Sequence, residues 1–199
     1  MNYTDQTIQA YEEAFEKYVQ KTTEKKPKLV LLNKFQSLLL GKKVLEIGFG
    51  TGVDAEWFAG NGFDYTGFEP VNKFCQMVAK KVPGVKIIQM DIRKADFPAE
   101  SFDGIWAMSS LLHFNDSDVA EILQKCHHWL KPDGVIFVTL KEGHGTLTRP
   151  DGRFFNLFSK NSFLKLAGKK FSLVDFSKEG AENFNTGKEN WLNFYLKKL

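Results

Sequence analysis

A run of apolar residues and glycines at positions 44–52 constrains this chain more than any other segment. It reads Val-Leu-Glu-Ile-Gly-Phe-Gly-Thr-Gly, so a short apolar strand leads directly into three glycines at alternate positions. Glycines at this spacing let the backbone turn sharply and let a bulky ligand approach bare main chain. A helical pattern begins at residue 53. A strand, a glycine turn and a helix N-terminus in this order predict a site for a nucleotide-type cofactor.

The residues around these glycines narrow the choice of cofactor. The dinucleotide fingerprint G-x-G-x-x-G needs a small residue where this chain has Val53, so a nicotinamide cofactor fits poorly. Glu69 ends the next apolar segment about twenty residues past the first glycine, which is the spacing of a carboxylate that binds ribose hydroxyls. The alternative interpretation makes Gly48–Gly52 an ordinary tight turn and Glu69 a surface acid.

Strand and helix patterns alternate after residue 42, which predicts a mostly parallel sheet covered on both faces. The predicted strands are 44–47, 64–69, 85–90, 102–107 and 135–140, and the predicted helices between them are 53–60, 71–81 and 117–130. Asp118 and Glu121 have the spacing of a capping box at the start of the last helix. After a helix at 160–168, strands 171–176 and 191–196 are joined without a helix, so they should pair antiparallel.

The acid and glycines of the first run resemble motif I of the class I S-adenosylmethionine (SAM) methyltransferases, in which an acid is followed two residues later by G-x-G-x-G. The resemblance extends from about residue 42 to 199. It implies an α/β fold: a Rossmann-like, doubly wound, mostly parallel seven-stranded sheet with an antiparallel C-terminal hairpin. It also implies a single domain, residues 1–199, in which helices at 4–20 and 27–40 form a lid (1–41) over a SAM-binding core (42–199).

The resemblance assigns cofactor roles to particular residues. Glu69 would bind both ribose hydroxyls, Asp91 would accept from the adenine amino group, and Ile92 would pack on the adenine ring. The full set that it implies for SAM is Glu46, Gly48, Phe49, Gly50, Gly52, Glu69, Pro70, Asp91, Ile92, Met108 and Ser109.

A second group of motifs bears on the methyl acceptor. Residues 106–113, 141–143, 152–155 and 191–193 resemble a group of small-molecule methyltransferases of the ubiquinone-biosynthesis and tellurite-resistance type. The D/N-P-P-aromatic motif of the nucleic-acid amino-methyltransferases is replaced at 108–111 by Met-Ser-Ser-Leu, which argues against that substrate. The resemblance implies a small-molecule acceptor. The basic residues and phenylalanines in the segment after strand 135–140 suit an anionic group and an apolar body, and the alternative is a solvated basic loop. The residues expected to contact it are Tyr11, His113, Lys141, Arg153 and Phe154.

His113 is the candidate catalytic residue. An imidazole titrates near neutral pH, so His113 is a candidate base for an acceptor that must lose a proton. The alternative is a hydrogen-bonded histidine that shapes the turn beside the cofactor.

Composition excludes several other classes of protein. The formal net charge of +3 is mild. The densest basic cluster is interpreted as a solvated linker and consists of Lys21, Lys25, Lys26 and Lys28. Nucleic-acid binding is therefore not favoured. No signal peptide or membrane-spanning run is evident, and two cysteines on apolar helix faces suggest a reducing compartment. We therefore expect a cytoplasmic protein without membrane or metal; its oligomeric state is open.

Three functions remain open at this stage. A SAM-dependent methyltransferase is the main expectation. A catalytically silent SAM-binding regulatory protein has the same cofactor motifs and would differ only in turnover. An NAD-dependent oxidoreductase is disfavoured by Val53 and by the lack of a hydride-transfer constellation.

Overall fold

The computed structural model describes residues 2–22, 24–183 and 187–199. Side chains are described for these residues except within 181–188. Its strands are β1 (Lys43–Ile47), β2 (Asp64–Phe68), β3 (Lys86–Ile88), β4 (Phe102–Met108), β5 (Leu130–Lys141), β6 (Thr146–Thr148), β7 (Phe154–Asn156), β8 (Phe171–Asn183) and β9 (Gly187–Lys198). Its helices are α1 (Tyr3–Glu13), α2 (Phe15–Thr22), α3 (Leu29–Leu38), α4 (Val53–Gly60), α5 (Asn72–Lys81), α6 (Asp116–Trp129) and α7 (Lys160–Ala167). Among the described residues, no helix has the length and apolar character needed to cross a membrane.

One large sheet organises the fold. Its strand order is β3-β2-β1-β4-β5-β9-β8, in which β1 to β5 pair parallel and β9 pairs antiparallel with both β5 and β8. This confirms the expected α/β class, the parallel core and the antiparallel C-terminal hairpin. The chain reverses its direction of winding between β1 and β4, and open parallel sheets bind ligands at such a point.

Successive side chains of β1 point to opposite faces of the sheet, so this strand contributes to two apolar clusters. Leu45 and Ile47 belong to the apolar cluster that includes α6 and α7, whereas Val44 belongs to the cluster that includes α3, α4 and α5. Glu46 is on the same side of the strand as Val44, because successive side chains point to opposite faces. The sequence of β1 therefore places a carboxylate inside an apolar layer, next to the glycine turn.

The N-terminal helices differ from the expectation. The single helix predicted at 4–20 is two helices that break at Ala14, and the break lets Tyr11, Phe15 and Tyr18 all pack around the ring of Phe74. The helix predicted at 27–40 is α3, which is shorter at both ends. It packs in the same layer as α4 and α5, so it is part of the core and not of a lid.

Three other local predictions were wrong. Helix α6 is capped by Asn115, which accepts from the Asp118 amide, so Asp118 and Glu121 do not form a capping box. The last two strands were predicted at 171–176 and 191–196, but they run to 13 and 12 residues because their backbone pairing continues as far as Asn183 and Gly187. The pair β6–β7 was missed, since three-residue strands carry too little periodicity to be recognised.

Candidate active site

The carboxyl ends of β1, β2 and β4 open into a cavity of about 430 Å³ that α1 and α2 cover. Its wall contains most of the residues expected to bind the cofactor, together with two of those expected to contact the acceptor. These are Glu46, Gly48, Phe49, Gly50, Glu69, Pro70, Asp91, Ile92, Met108, Ser109, Tyr11 and His113. Gly52, Lys141, Arg153 and Phe154 are not part of this wall.

The glycine turn is built by close packing. Gly48 has φ +76°, and a Cβ on it would lie 2.7 Å from the Cβ of Ser110. Gly52 has φ +71° and precedes the first residue of α4; a Cβ there would lie 2.6 Å from a methyl of Val78. Only glycine meets both demands at these two positions, because the left-handed conformation strains other residues and the space is filled. Gly52 thus packs the turn against α5 and does not face the cavity as expected.

Glu69 connects the end of β2 to the glycine turn. One carboxylate oxygen accepts the Gly50 amide and the other accepts the Val71 amide, each at 3.0 Å. Burial raises the pKa of Glu69 to about 7, although both hydrogen bonds oppose the shift. Each carboxylate oxygen can accept a further hydrogen bond. A diol that reaches this wall of the cavity would therefore find two oriented acceptors.

A second pair of acids lies deeper at the end of β1. The Tyr65 hydroxyl donates to Glu46 at 2.8 Å, and the Trp106 indole donates to Asp54 at 2.9 Å. Burial raises the pKa of both carboxyls, and the charge of Asp54 raises that of Glu46 further. Both acids line the cavity, so a cationic group bound there would stabilise their ionised forms.

Asp91, expected at the adenine, is already engaged by Arg93. The guanidinium contacts both carboxylate oxygens, and its Nε and Nη2 donate to Oδ2 at 3.0 Å and 2.6 Å. These hydrogen bonds to Arg93 lower the pKa of Asp91. Arg93 also reaches Asp118 at 3.2 Å, and Asp118 accepts from the hydroxyl of Tyr3 on α1. The sequence analysis missed Arg93, although its position two residues after a candidate binding acid was a usable signal.

Tyr11 and His113 face each other at the other end of the cavity. The His113 Nδ1 lies 2.7 Å from the carbonyl oxygen of Phe154, so this nitrogen carries the proton and donates. Nε2 then accepts from the Tyr11 hydroxyl at 3.0 Å. Desolvation, together with the positive charges of Arg153 and nearby basic residues, lowers the pKa of His113 to about 4, although the bond to Phe154 opposes the shift. His113 is therefore neutral near pH 7.

The other residues expected at the acceptor lie behind His113. Lys141, Arg149 and Arg153 surround the ring of Phe155 at 4.9, 4.7 and 5.8 Å, and Phe155 packs against His113. Arg153 also lies 5.2 Å from the Tyr11 ring centroid, and its side chain is 19% exposed, so it does not point into bulk solvent.

Phe154 acts through its backbone. Its carbonyl binds His113, its amide donates to Thr7 at 3.0 Å, and its ring packs on Tyr3. The sequence predicted that this segment lies near the site, but it did not predict the direction of its side chains.

Two features of the wall were not expected. Lys25, Lys26 and Lys28, interpreted above as a solvated linker, line the cavity. The Ser110 hydroxyl is buried and also lines the cavity, without a hydrogen-bond partner in the described part of the chain. Ser109, just before it, has φ +57°, an uncommon conformation for a residue with a side chain, which turns the chain at the end of β4.

Comparisons with known proteins agree with this geometry. The family model of a methyltransferase domain matches residues 44–134. The phosphoethanolamine N-methyltransferase of Plasmodium falciparum is 31% identical over 142 residues, which are 69% of this chain and 53% of that protein. A ubiquinone biosynthesis O-methyltransferase of Actinobacillus pleuropneumoniae is 37% identical over 109 residues, 50% of this chain and 45% of that protein. The chain thus spans about half the length of these curated relatives.

Solved structures give the same fold. A SAM-dependent methyltransferase from Methanosarcina mazei superposes with a TM-score of 0.72 at 16% identity, covering 83% of this chain and 97% of that one. The chain is thus similar in sequence and fold to the class I SAM-dependent methyltransferases, as the motif around Glu46 and the glycines predicted. Two further solved structures with this fold hold S-adenosylhomocysteine and SAM: a Burkholderia thailandensis N-methyltransferase with a TM-score of 0.69 at 18% identity, and a Haemonchus contortus phosphoethanolamine N-methyltransferase with a TM-score of 0.68 at 17% identity.

The residues of the cavity suit this cofactor. SAM carries a net positive charge, and four carboxylates line the wall. Glu69 has spare acceptor capacity for a ribose diol, Gly48 leaves bare backbone, and Ser110 has an unpaired hydroxyl.

Proposed function

We propose that this protein transfers the methyl group of SAM to a small-molecule acceptor bound at the Tyr11–His113 end of the cavity. The observation that supports this most directly is that one continuous cavity joins the Gly48–Glu69 side to the Tyr11–His113 pair. The sulfonium of SAM supplies an activated methyl group. The main task left to the protein is to hold the acceptor in line with it.

In this proposal His113 is a positioning residue. Its Nδ1 proton is held by Phe154, so Nε2 is fixed as the acceptor of the Tyr11 hydroxyl. An imidazolium is unfavourable at this position, because the pKa of His113 is lowered to about 4. A general-base role, the alternative raised by the sequence, would need that charged form to be stabilised. We therefore assign direct contact with the acceptor to the oxygen of Tyr11.

The charges around the site favour a neutral or anionic acceptor over a cationic one. The carboxylates of the described cavity wall are Glu46, Asp54, Glu69 and Asp91, and each already has a protein donor. The guanidinium of Arg153 lies 5.2 Å from the ring centroid of Tyr11. The positive charges of Arg153, Lys141 and Arg149 act on His113, and they would repel an alkylammonium bound beside it.

We also propose that α1 and α2 form the lid. Helix α1 is held on both sides of the cavity: Glu12 accepts the Asn72 amide at 2.5 Å on the α5 side, and Thr7 accepts the Phe154 amide at 3.0 Å on the other. Entry of a cofactor and release of a product require these bonds to open.

Fractionated metabolites provide a test. A cell extract is separated by ion exchange into anionic, neutral and cationic pools, and each is incubated with the protein and SAM labelled in its methyl group. We expect label in a small molecule of the anionic or neutral pool. Label confined to the cationic pool would reject the acceptor class. Binding of SAM without label in any pool would favour the silent regulatory protein.

A further inference from the structure

The rim lysines, Lys25, Lys26 and Lys28, are the fixed positive charges in the described wall of the cavity. They follow α2, where the Lys25 amide donates to the carbonyl of Thr22 at 3.0 Å and so turns the chain toward the cavity. Lys28 pairs with Glu179 on β8 at 2.7 Å. This pair fixes the rim lysines on the side of the molecule where β8 forms the edge of the sheet.

The positions of three of the four acids in the described cavity wall follow the strand order. Asp91 comes after β3, at the opposite edge of the sheet, Glu69 comes after β2, and Glu46 is near the end of β1. A SAM molecule with its adenine toward Asp91 and its ribose on Glu69 would extend past Glu46 toward the β8 side. Its amino-acid end would then reach the rim lysines.

The amino-acid end of SAM carries an ammonium and a carboxylate, and the two need opposite partners. The buried acids Glu46 and Asp54 suit the ammonium. The same acids repel a carboxylate, so a cation is needed beside them to hold it. Lys28 is already paired with Glu179, whereas Lys25 lies within 4.0 Å of no carboxylate among the described side chains.

We propose that Lys25 binds the carboxylate of SAM and that Lys28, held by Glu179, shapes the rim around it. Desolvation and the charges of Lys21 and Lys28 lower the pKa of Lys25, so an anion at this place would relieve the repulsion between the lysines. The lysine cluster is then part of the cofactor site and not a linker.

Decarboxylated SAM, which keeps the sulfonium and the ammonium but lacks the carboxylate, separates this role from a general structural effect. Calorimetry measures binding of SAM and of decarboxylated SAM to the wild type, Lys25→Gln and Lys28→Gln. Lys21→Gln is the matched control, since Lys21 belongs to the same basic cluster but does not line the cavity. No acceptor is needed, so failure of the proposed acceptor chemistry would not affect the result.

We expect Lys25→Gln to weaken SAM binding about tenfold, which is the loss of affinity expected when one partly solvated charge-assisted hydrogen bond is removed. Decarboxylated SAM should bind this variant as well as the wild type or slightly better, because a repelling charge has been removed. Raising the salt concentration should weaken SAM binding to the wild type more than to Lys25→Gln.

An equal loss for both ligands in Lys25→Gln, or no loss for either, would overturn the proposal. A loss selective for SAM in Lys28→Gln but absent in Lys25→Gln would likewise overturn the assignment to Lys25. A comparable loss in Lys21→Gln would show that the general charge of the cluster, and not contact with the carboxylate, sets the affinity.

Discussion

The hydroxyl of Tyr11 lies 3.0 Å from Nε2 of His113, and this bond joins α1 to the turn that follows β4. The turn belongs to the core of the sheet, whereas α1 covers the cavity from outside. The Tyr11–His113 bond can therefore form only when α1 is seated. With α1 and α2 as the proposed lid, this bond would couple closure of the cavity to the orientation of the Tyr11 hydroxyl.

Replacing Tyr11 by Phe should lower kcat for the natural acceptor by tenfold or more while changing SAM affinity by less than about twofold. The loss of one hydrogen bond and the unpaired Nε2 should cost about 1–2 kcal/mol of folding stability. Tyr18→Phe is the matched control, because Tyr18 also packs on Phe74 and lines the cavity. Steady-state kinetics and calorimetry of both variants test this; equal turnover in the two would reject a special role for the Tyr11 hydroxyl.

Arg153→Lys should raise the KM of the acceptor without weakening the binding of SAM. Lysine keeps the charge but loses the planar guanidinium that lies against the ring of Tyr11. Arg149→Lys is the control, since Arg149 packs on Phe155 and pairs with Glu189. If both variants give the same KM, the contact of Arg153 with Tyr11 does not influence the acceptor.

Removing the carboxylate in Glu69→Ala should weaken SAM binding roughly tenfold to a hundredfold. The two ribose hydroxyls of SAM would lose a charged acceptor worth about 1.5–3 kcal/mol. Calorimetry with SAM measures the loss, and NAD serves as the competing ligand. Unchanged SAM affinity would contradict the ribose assignment.

The pKa of Glu69 predicts a pH dependence of stability. The folded-state pKa is raised from 4.5 to about 7, so the folded protein binds this proton more tightly than the unfolded chain. The free energy of unfolding should therefore fall as pH rises from about 4.5 to about 7, by up to ~3 kcal/mol from this group. Glu69→Gln should lack that contribution. Denaturant titrations of both proteins across this range test it, and identical slopes would show that Glu69 does not titrate as described.

SAM binding should show the opposite trend. Ionised Glu69 accepts hydrogen bonds from a diol better than the protonated acid does, so affinity should rise as pH increases through about 7. The same rise in Glu69→Gln would assign the effect to another group.

The two neighbouring glycines of the turn should respond differently to alanine. Gly48→Ala combines φ +76° with a 2.7 Å approach to Ser110, whereas Gly50→Ala has φ +50° and no atom within 4 Å. We expect Gly50→Ala to cost about 1 kcal/mol and Gly48→Ala to cost about 1–3 kcal/mol more. Thermal unfolding measures both, and equal shifts would mean that the turn relaxes away from Ser110.

Asp118→Ala should loosen α1, because Asp118 accepts from Tyr3 and pairs with Arg93 at 3.2 Å. Hydrogen exchange of the α1 amides should accelerate, with a smaller effect on β1 and β4. Glu121→Ala is the control on the same helix, where Glu121 makes only an exposed pair with Lys125 at 3.7 Å. Unchanged exchange in α1 would show that the Tyr3–Asp118 contact does not hold the lid.

Most of the residues that the sequence assigned to the cofactor line the cavity, because the geometry there is local. Gly48, Gly50 and Glu69 follow buried strands directly, and a parallel sheet brings the ends of those strands to one edge. The same reasoning placed Asp91 and Met108 in the wall. It did not predict that Arg93 would occupy both oxygens of Asp91, since that pairing depends on how the segment after β3 folds.

Only Tyr11 and His113 of the residues assigned to the acceptor line the cavity, since these residues come from segments far apart in the chain. Tyr11 and His113 are 102 positions apart, and only the packing of α1 brings them together. Arg153 and Phe154 were placed in the correct neighbourhood, but the β6–β7 turn directs their side chains behind His113.

By itself, the sequence determined the fold class and the similarity to SAM-dependent methyltransferases, because these depend on strand periodicity and on residues a few positions apart. The tertiary structure alone decided which basic side chains reach the cavity. It moved Lys25 from an apparent linker to the cavity rim and placed Lys141 outside the wall. The physical reason is that side-chain direction in connecting segments is set by long-range packing, here of α1 and α2 over the sheet, which leaves no periodic trace in the sequence.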